Sequence, residues 1–249
     1  MHIVASIALH YGADYLSHAI RSIIDDVDEV IVLYSATGSH GHRTSIPCPD
    51  SRDDLYAIAH EAAGAKLRWF DGNWTHEGQQ RDSIFEIAPV ADVIVVVDAD
   101  ELWPPGLLAM AIKATSTWRR REIRMPMAHL WRSMKQAILH DPACPVRLIY
   151  PQVREGAETF TPDPSLPILE RSIIHGGYAQ RSEIVKYKLL THGHRNEFRR
   201  DVDWFNDIFM NPLRTTDLHP VGSTAWNWES VDVPDFLLGH PYAQLELIE

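Results

Sequence analysis

Hydrophobic and polar positions along the first hundred residues fall into blocks whose period switches repeatedly between that of a strand and that of a helix. Residues 3–9 form a short apolar run that predicts a first strand, with a turn over residues 10–13. Tyr15, Leu16, Ala19, Ile20, Ile23 and Ile24 then recur at helical spacing, with Asp14 placed as the N-cap. Residues 29–33 predict a second strand, and a long loop rich in Ser, Thr, Gly and His follows over residues 34–52. Ser51 and Asp54 make a capping-box-like start for a helix through Leu55, Ile58, Ala59 and Ala62, which Gly64 closes. A third strand is predicted over 66–70 and a helix over 77–88, capped by Thr75 and ended by Pro89. A fourth strand follows over 92–97.

Strands alternating with helices at this spacing predict βαβ units and a mostly parallel sheet flanked by helices, an α/β fold. The second half is less regular. Pro104 and Pro105 suit the first turn of a helix to about residue 114, and residues 119–121 form a small basic run expected on the surface. Residues 123–131 and 145–150 read as further strands, with antiparallel pairing open, and prolines and acids over 151–167 read as a loop or lid. Residues 173–179 look like a strand breaking into a loop. A helix capped by Ser182 comes next, then an amphipathic stretch over 202–210 and an irregular tail. The expected organisation is one large domain whose residues 1–115 bind a ligand, with residues 116–249 forming a second half that carries a helical and irregular subregion.

Composition narrows the function classes. A net charge of -11 argues against a large basic footprint for nucleic acid or anionic membrane. Cys48 and Cys144, the two cysteines, stand in no metal-finger spacing and suit a reducing compartment. No apolar stretch approaches the roughly 18 residues of a membrane span, and the N-terminus lacks a signal-peptide pattern, so a cytoplasmic protein is expected. The fourteen histidines are numerous, which makes a lone histidine weak evidence for a ligand.

The most informative stretch is residues 92–103. Five β-branched residues, Val93 to Val97, predict a strand buried on both faces. It ends in Asp98-Ala99-Asp100-Glu101, at the end of the sheet where open α/β folds bind ligands. In extended backbone Asp98 and Asp100 would project to one side and approach one hard cation or its bound phosphate together. A divalent cation held there would bridge two phosphates and neutralise the charge on a departing diphosphate.

With these residues in view, the chain resembles glycosyltransferases of the GT-A fold, close to the family-2 type of bacteria and phage. The resemblance rests on residues 8–16 after the first strand, Trp74 with residues 77–82, and residues 97–101. Downstream it rests on His175-Gly176-Gly177-Tyr178-Ala179 and on Trp204-Phe205. It implies a nucleotide-sugar donor, with UDP as the carrier, a Mn2+ or Mg2+ ion, and transfer to an acceptor hydroxyl on a saccharide, small molecule, protein or modified nucleobase. It also implies Asp98 facing the ribose or metal, Asp100 as principal metal ligand, and Ala8, His10 and Ala99 lining the donor site. Arg81 matches a nucleotide-holding position, or else is a helix-surface arginine paired with Glu77. His175 is a candidate third metal ligand, or else a histidine hydrogen-bonded in a turn. The family's base-reading aspartate after the second strand is replaced by Tyr34-Ser35-Ala36-Thr37-Gly38, leaving Ser35 or Thr37 as substitutes. For a catalytic base, Glu101 and Asp141 are the leading candidates, with Glu170 and Asp201 also open. Trp103, Trp131 and Tyr178 are candidates to stack on a sugar or base.

Three other readings compete. A nucleotidyltransferase would carry a basic glycine-rich loop after the first strand, and residues 10–14 have one glycine and no lysine or arginine. A zinc-dependent hydrolase would rest on His192 and His194 with Glu197. An inactive carbohydrate-binding relative would keep the fold without metal-dependent binding of nucleotide sugar.

Overall fold

A computed structural model describes residues 1–38, 42, 44–118, 122–139, 141–142, 144–151, 168–169, 171–193, 195–199, 202–211, 217–221 and 226–248, with residues 115–118 as backbone alone. The predicted surface run 119–121, nearly all of the predicted lid, Glu170, His194 and Asp201 lie outside the described residues.

The first sheet is built from β1 (Ile3–Leu9), β2 (Glu29–Ser35), β3 (Leu67–Gly72), β4 (Val93–Val97), β6 (Glu122–Arg124) and β9 (Val146–Ile149), in the order β3-β2-β1-β4-β9-β6. The first four pair in parallel, and β9 pairs antiparallel with both β4 and β6. Side chains of β4 divide by parity, as a two-residue period dictates. Val93, Val95 and Val97 enter the core beneath α1 (Ala13–Arg21), α2 (Arg52–Ala63) and α5 (Leu107–Trp118). Ile94 and Val96 enter the opposite core with Ile84. Burial on both faces is what the β-branched run predicted, and all five residues of β4 are buried.

The second sheet has the order β11-β8-β7-β10-β5, built from β5 (Glu101–Leu102), β7 (Met127–Trp131), β8 (Gln136–Ile138), β10 (Ile173–Tyr178) and β11 (Glu229–Ser230). The single run expected over 123–131 is divided at Met125-Pro126, and its two pieces serve different sheets. The two halves of the chain interleave, because β9 completes the first sheet and β5 joins the second. Leu102 and Ile174 anchor one core of this sheet with the C-terminal segment, and Trp131, Tyr178, Trp204 and Phe209 form another.

Helix starts differ from expectation in four places, one of them α5, which begins at Leu107, beyond Pro104 and Pro105. The first turn of α1 is satisfied from afar: Gly12, at φ 135°, precedes the helix, and Asp50 accepts from Gly12 N (2.7 Å) and Ala13 N (3.0 Å). Asp14 instead binds Arg181, whose Nε donates to it at 2.8 Å. The helix expected over 77–88 is two short ones, α3 (Glu77–Asp82) and α4 (Ile84–Ile87), interrupted at Ser83, whose hydroxyl donates back to Gln80 O at 2.7 Å. His76 rather than Thr75 caps α3, accepting from Gln79 N at 3.1 Å. In α6 (Ser182–Thr191) Ser182 is the first helical residue and Arg181 the cap position. Ser51 and Gly64 bound α2 as expected. The predicted amphipathic stretch is a π-helical segment, Trp204–Phe209. No described helix is long and apolar enough to cross a membrane.

Candidate functional site

The strand order reverses at β1, whose neighbours β2 and β4 run to opposite sides. Crevices of this kind, at the carboxyl ends of parallel strands, are where open sheets receive ligands. A cavity of about 480 Å³ opens there, lined by Ala8 and His10 from the end of β1 and by Asp98, Ala99 and Asp100 from the end of β4. The loop after β1 packs tightly on this motif, since a Cβ on Gly12 would lie 2.7 Å from the Ala99 Cβ.

Residues 98–101 close a turn, with Glu101 N donating to Asp98 O at 3.0 Å. Asp98 and Asp100 therefore do not share one side of an extended strand as expected; the turn is the joint at which the chain leaves the first sheet for the second, and it brings both residues to the cavity. Glu101 lies beneath it, fully buried and outside the cavity lining. Its carboxylate accepts from Asp98 N at 3.1 Å and from Arg147 Nε at 3.0 Å. Burial pushes the Glu101 carboxyl up against the opposing pull of Arg147.

Asp98 is held from both sides, by Arg81 Nη2 at 2.5 Å and by Arg147 Nη2 at 2.8 Å. Burial alone would raise its pKa, but the two guanidinium groups outweigh it and hold the group at about 2. Arg81 also donates to Glu77 at 2.9 Å, so it makes the expected helix pair and faces the cavity as well. Its Nη1 is buried without a hydrogen-bond partner among the described residues, which leaves a donor for a ligand.

Asp100 faces Lys188 Nζ at 3.4 Å, Gln180 Nε2 at 3.2 Å and His175 Nε2 at 3.4 Å. Burial disfavours its charge, yet Lys188 and His175 hold it well below the ordinary carboxylate range. Lys188 in turn is held above the ordinary lysine range, burial being outweighed by Asp100, Tyr11 and Tyr178. His175 Nδ1 contacts His129 Nδ1 at 2.7 Å, and Asp141 contacts His129 Nε2 at 2.7 Å, so Asp141 reaches the cavity as a partner of His129.

His10 spans Ser35 O and Tyr187 Oη, both at 2.8 Å. Ser35 is buried beneath the lining and donates to Thr37 O at 3.0 Å, while Thr37 itself lines the cavity. Tyr178 and His192 are in the lining; Trp103 and Trp131 are core residues with almost no exposure and no free face for a sugar.

Beside Asp100 the groups with metal-ligand chemistry are its own carboxylate and the His175 imidazole, and the Lys188 ammonium faces the same carboxylate. Asp100 Oδ1 and His175 Nε2 stand as a carboxylate and an imidazole nitrogen 3.4 Å apart, wider than the roughly 3.0 Å between adjacent octahedral ligands at bonds of about 2.1 Å. The neighbouring Gly177 keeps the notch clear: a Cβ there would meet His175 Nε2 at 2.7 Å and Lys188 Nζ at 2.6 Å. Among the described residues no group of three His, Cys, Asp or Glu side chains converges to hold a metal alone. Both Asp98 oxygens already accept from guanidinium groups.

Arg147, Lys188 and His129 escaped the sequence reading. Arg147 and His129 carried a usable signal, each being a lone polar residue inside an apolar strand, Val-Arg-Leu-Ile and Met-Ala-His-Leu-Trp, where burial demands a partner. Lys188 sits in a helix with ordinary amphipathic neighbours, and nothing local distinguishes it.

Fold and site together define a two-sheet α/β protein with a ligand pocket at the switch point of its parallel strands and a dense set of paired charges inside it. No known family matches the sequence, and no curated protein matches it. Similar solved structures include S. aureus TarS 1-349, at TM-score 0.44 and 11% identity over 85% of this chain and 71% of that one. A second is glucosyl-3-phosphoglycerate synthase from Mycobacterium tuberculosis with Mn2+, UDP and phosphoglyceric acid, at TM-score 0.34 and 19% identity over 51% of this chain and 43% of that one. A third, described only as a mycobacterial protein, gives TM-score 0.38 and 21% identity, and the match spans 51% of this chain and 41% of that one. The chain thus spans less than half the length of that mycobacterial protein.

Proposed function

We propose that this protein is a GT-A-type glycosyltransferase that takes a nucleotide-diphosphate sugar and moves the sugar to an acceptor hydroxyl. The observation that carries this reading is the turn 98–101 at the switch point, set between Arg81, whose buried Nη1 has no partner among the described residues, and Lys188, both side chains mostly covered. Such a pocket matches a diphosphate, whose negative charge needs fixed cations in a place that excludes water. Arg81 binds a phosphate or base edge through Nη1, and Asp98 aims it. Lys188 is the second fixed cation. Mn2+ or Mg2+, when bound beside Asp100 and His175, would act as a Lewis acid on the departing diphosphate. Ala8 and Ala99 keep the floor shallow enough for the sugar donor's backbone, and His10 and Thr37, the latter held by Ser35, border the nucleoside end. Glu101 is assigned a positioning role, because it braces the turn from below.

UDP is the first nucleotide to test. Calorimetry should show UDP binding to the wild-type protein with Mn2+ present, weakening at least tenfold with chelator or in Arg81→Ala, since charge-assisted bonds of this kind contribute about 1.5–3 kcal/mol. Affinity unchanged in Arg81→Ala would remove the pocket from the account.

A further inference from the structure

One lining residue of the pocket sits over the seam between β1 and β2. Gln80 of α3 is 7% exposed and stands in the cavity wall. Its Nε2 donates to Leu9 O at 3.2 Å and to Leu33 O at 2.5 Å, and so joins the carboxyl ends of the two strands. A side-chain amide nitrogen has two protons, and both are engaged here. The orientation of the amide follows from these bonds: turned over, Oε1 would face two carbonyl oxygens with no proton between them. Oε1 therefore points away from the strand ends, and no described residue donates to it. An acceptor fixed in a mostly covered place is costly to leave without a donor.

The side chains around it are already engaged with one another. His10 has Ser35 O and Tyr187 Oη on its two ring nitrogens. Ser35 Oγ donates to Thr37 O at 3.0 Å, and Thr37 Oγ1 stands 3.4 Å from that hydroxyl. The place of Gln80 also suits one part of a nucleotide. Neighbouring strands lie about 4.8 Å apart, so the seam of β1 and β2 is roughly 7 Å from β4, whose end carries Asp98. A ribose covers a step of that length between a base and its diphosphate.

We propose, resting on the nucleotide-sugar reading of this pocket, that Gln80 determines which base the donor carries: its Oε1 accepts the ring N3–H of uracil. Uracil holds that N–H between two carbonyl groups, so the same edge offers an acceptor to Arg81, which lines the same cavity and whose Nη1 has no partner among the described residues. Cytosine presents a lone pair at the same ring position, and it would meet the lone pairs of Oε1 with no proton between them. Guanine has an N–H beside a carbonyl, but farther from its ribose. The amide cannot turn over to suit cytosine without breaking both bonds to the strand ends. A site built in this way discriminates because the wrong base leaves a covered polar group unpaired.

Calorimetry with UDP, CDP and GDP, each in the presence of Mg2+, is the first arm of the test. The wild type is expected to bind UDP about tenfold or more tightly than CDP or GDP, the scale of one hydrogen bond to a covered group left unmade. Gln80→Met keeps the length of the side chain and removes the amide; its fold is checked by circular dichroism. In that variant the preference for UDP over CDP should fall towards one, whereas a residue that only joined the strands would weaken both nucleotides alike. The second arm needs no variant. With UDP carrying 15N at N3, the imino proton should be protected from exchange with water in the wild-type complex. CDP or GDP binding as tightly as UDP, an unprotected imino proton in the UDP complex, or an unchanged preference in the folded variant would each overturn the role of Gln80 and leave the proposed function standing. Failure of all three nucleotides to bind would contradict the role and the function together.

Discussion

Arg147 meets two carboxylates beneath the pocket. Its guanidinium is buried, and it contacts both Glu101, which has no exposure, and Asp98. Buried pairs of this kind contribute little net stability compared with an apolar replacement, but removing one partner leaves a charge stranded. Arg147→Met is therefore expected to lower unfolding free energy by about 3–5 kcal/mol in urea titrations, and adding Glu101→Gln should recover part of that loss. No recovery would mean that Arg147 is held by something other than this pair. Gly177 tests the notch more locally. Gly177→Ala places a Cβ 2.3 Å from His175 Cε1, and overpacking of that order costs about 1–3 kcal/mol. Thermal unfolding should report that cost, and calorimetry should show UDP affinity in the presence of Mn2+ falling further than the stability loss explains.

At the scale of elements, the C-terminal segment is clasped to α1 by His240. That ring stacks on Tyr15 at 4.7 Å, contacts Asp14 O through Nε2 at 3.0 Å, and accepts from Tyr242 N through Nδ1 at 3.1 Å. A neutral ring makes both bonds, and protonation at Nδ1 breaks the second. Burial, reinforced by His18, pulls the His240 pKa down from 6.5 to about 4. The folded value is depressed, so this stabilisation is complete above about pH 6.5, the unfolded value. It is lost as pH falls through about 4. Protection factors for hydrogen exchange across residues 235–248, corrected for the intrinsic pH dependence of exchange, should fall over that window, and His240→Gln should flatten the dependence. A window unchanged in the variant would place the pH sensitivity elsewhere.

Elements were legible in proportion to how local their causes are. The strand over 93–97 could be read because five stiff side chains in succession admit little else, and Ser51 with Gly64 bounded α2 through bonds made within a turn. The start of α1 could not be read, since Asp50 supplies its cap from 37 or more positions along the chain. The break at Ser83 depends on one hydroxyl returning to Gln80 O, a choice that residue type leaves open. Asp98, Asp100, Arg81 and His175 were legible as residues because their motifs are short. Their partners were not, because Arg147, Lys188 and His129 arrive from β9, α6 and β7, and only the sheet order brings them together.

Across the whole molecule, the joint between the two sheets is also the floor of the pocket. The turn 98–101 ends β4 of one sheet and begins β5 of the other, and Gly176 N binds Asp100 O at 2.7 Å to tie β10 to the same point. A ligand bound there contacts both sheets, and binding to the folded state alone raises apparent stability by mass action. UDP with Mn2+ should therefore raise the melting temperature in a concentration-dependent way, whereas an unchanged melting temperature at saturating UDP would separate the pocket from the joint.

Turnover decides whether this pocket transfers a sugar. Diphosphate release should be followed with a panel of nucleotide sugars, with and without Mn2+, for the wild type and for Asp100→Ala, whose fold is checked by circular dichroism. The expected result is Mn2+-dependent release from at least one nucleotide sugar by the wild type, and loss of that release by about 10²-fold or more in the folded variant, the scale on which removal of a charge-stabilising group acts. Full activity in Asp100→Ala, or no release from any nucleotide sugar by the wild type, would contradict it.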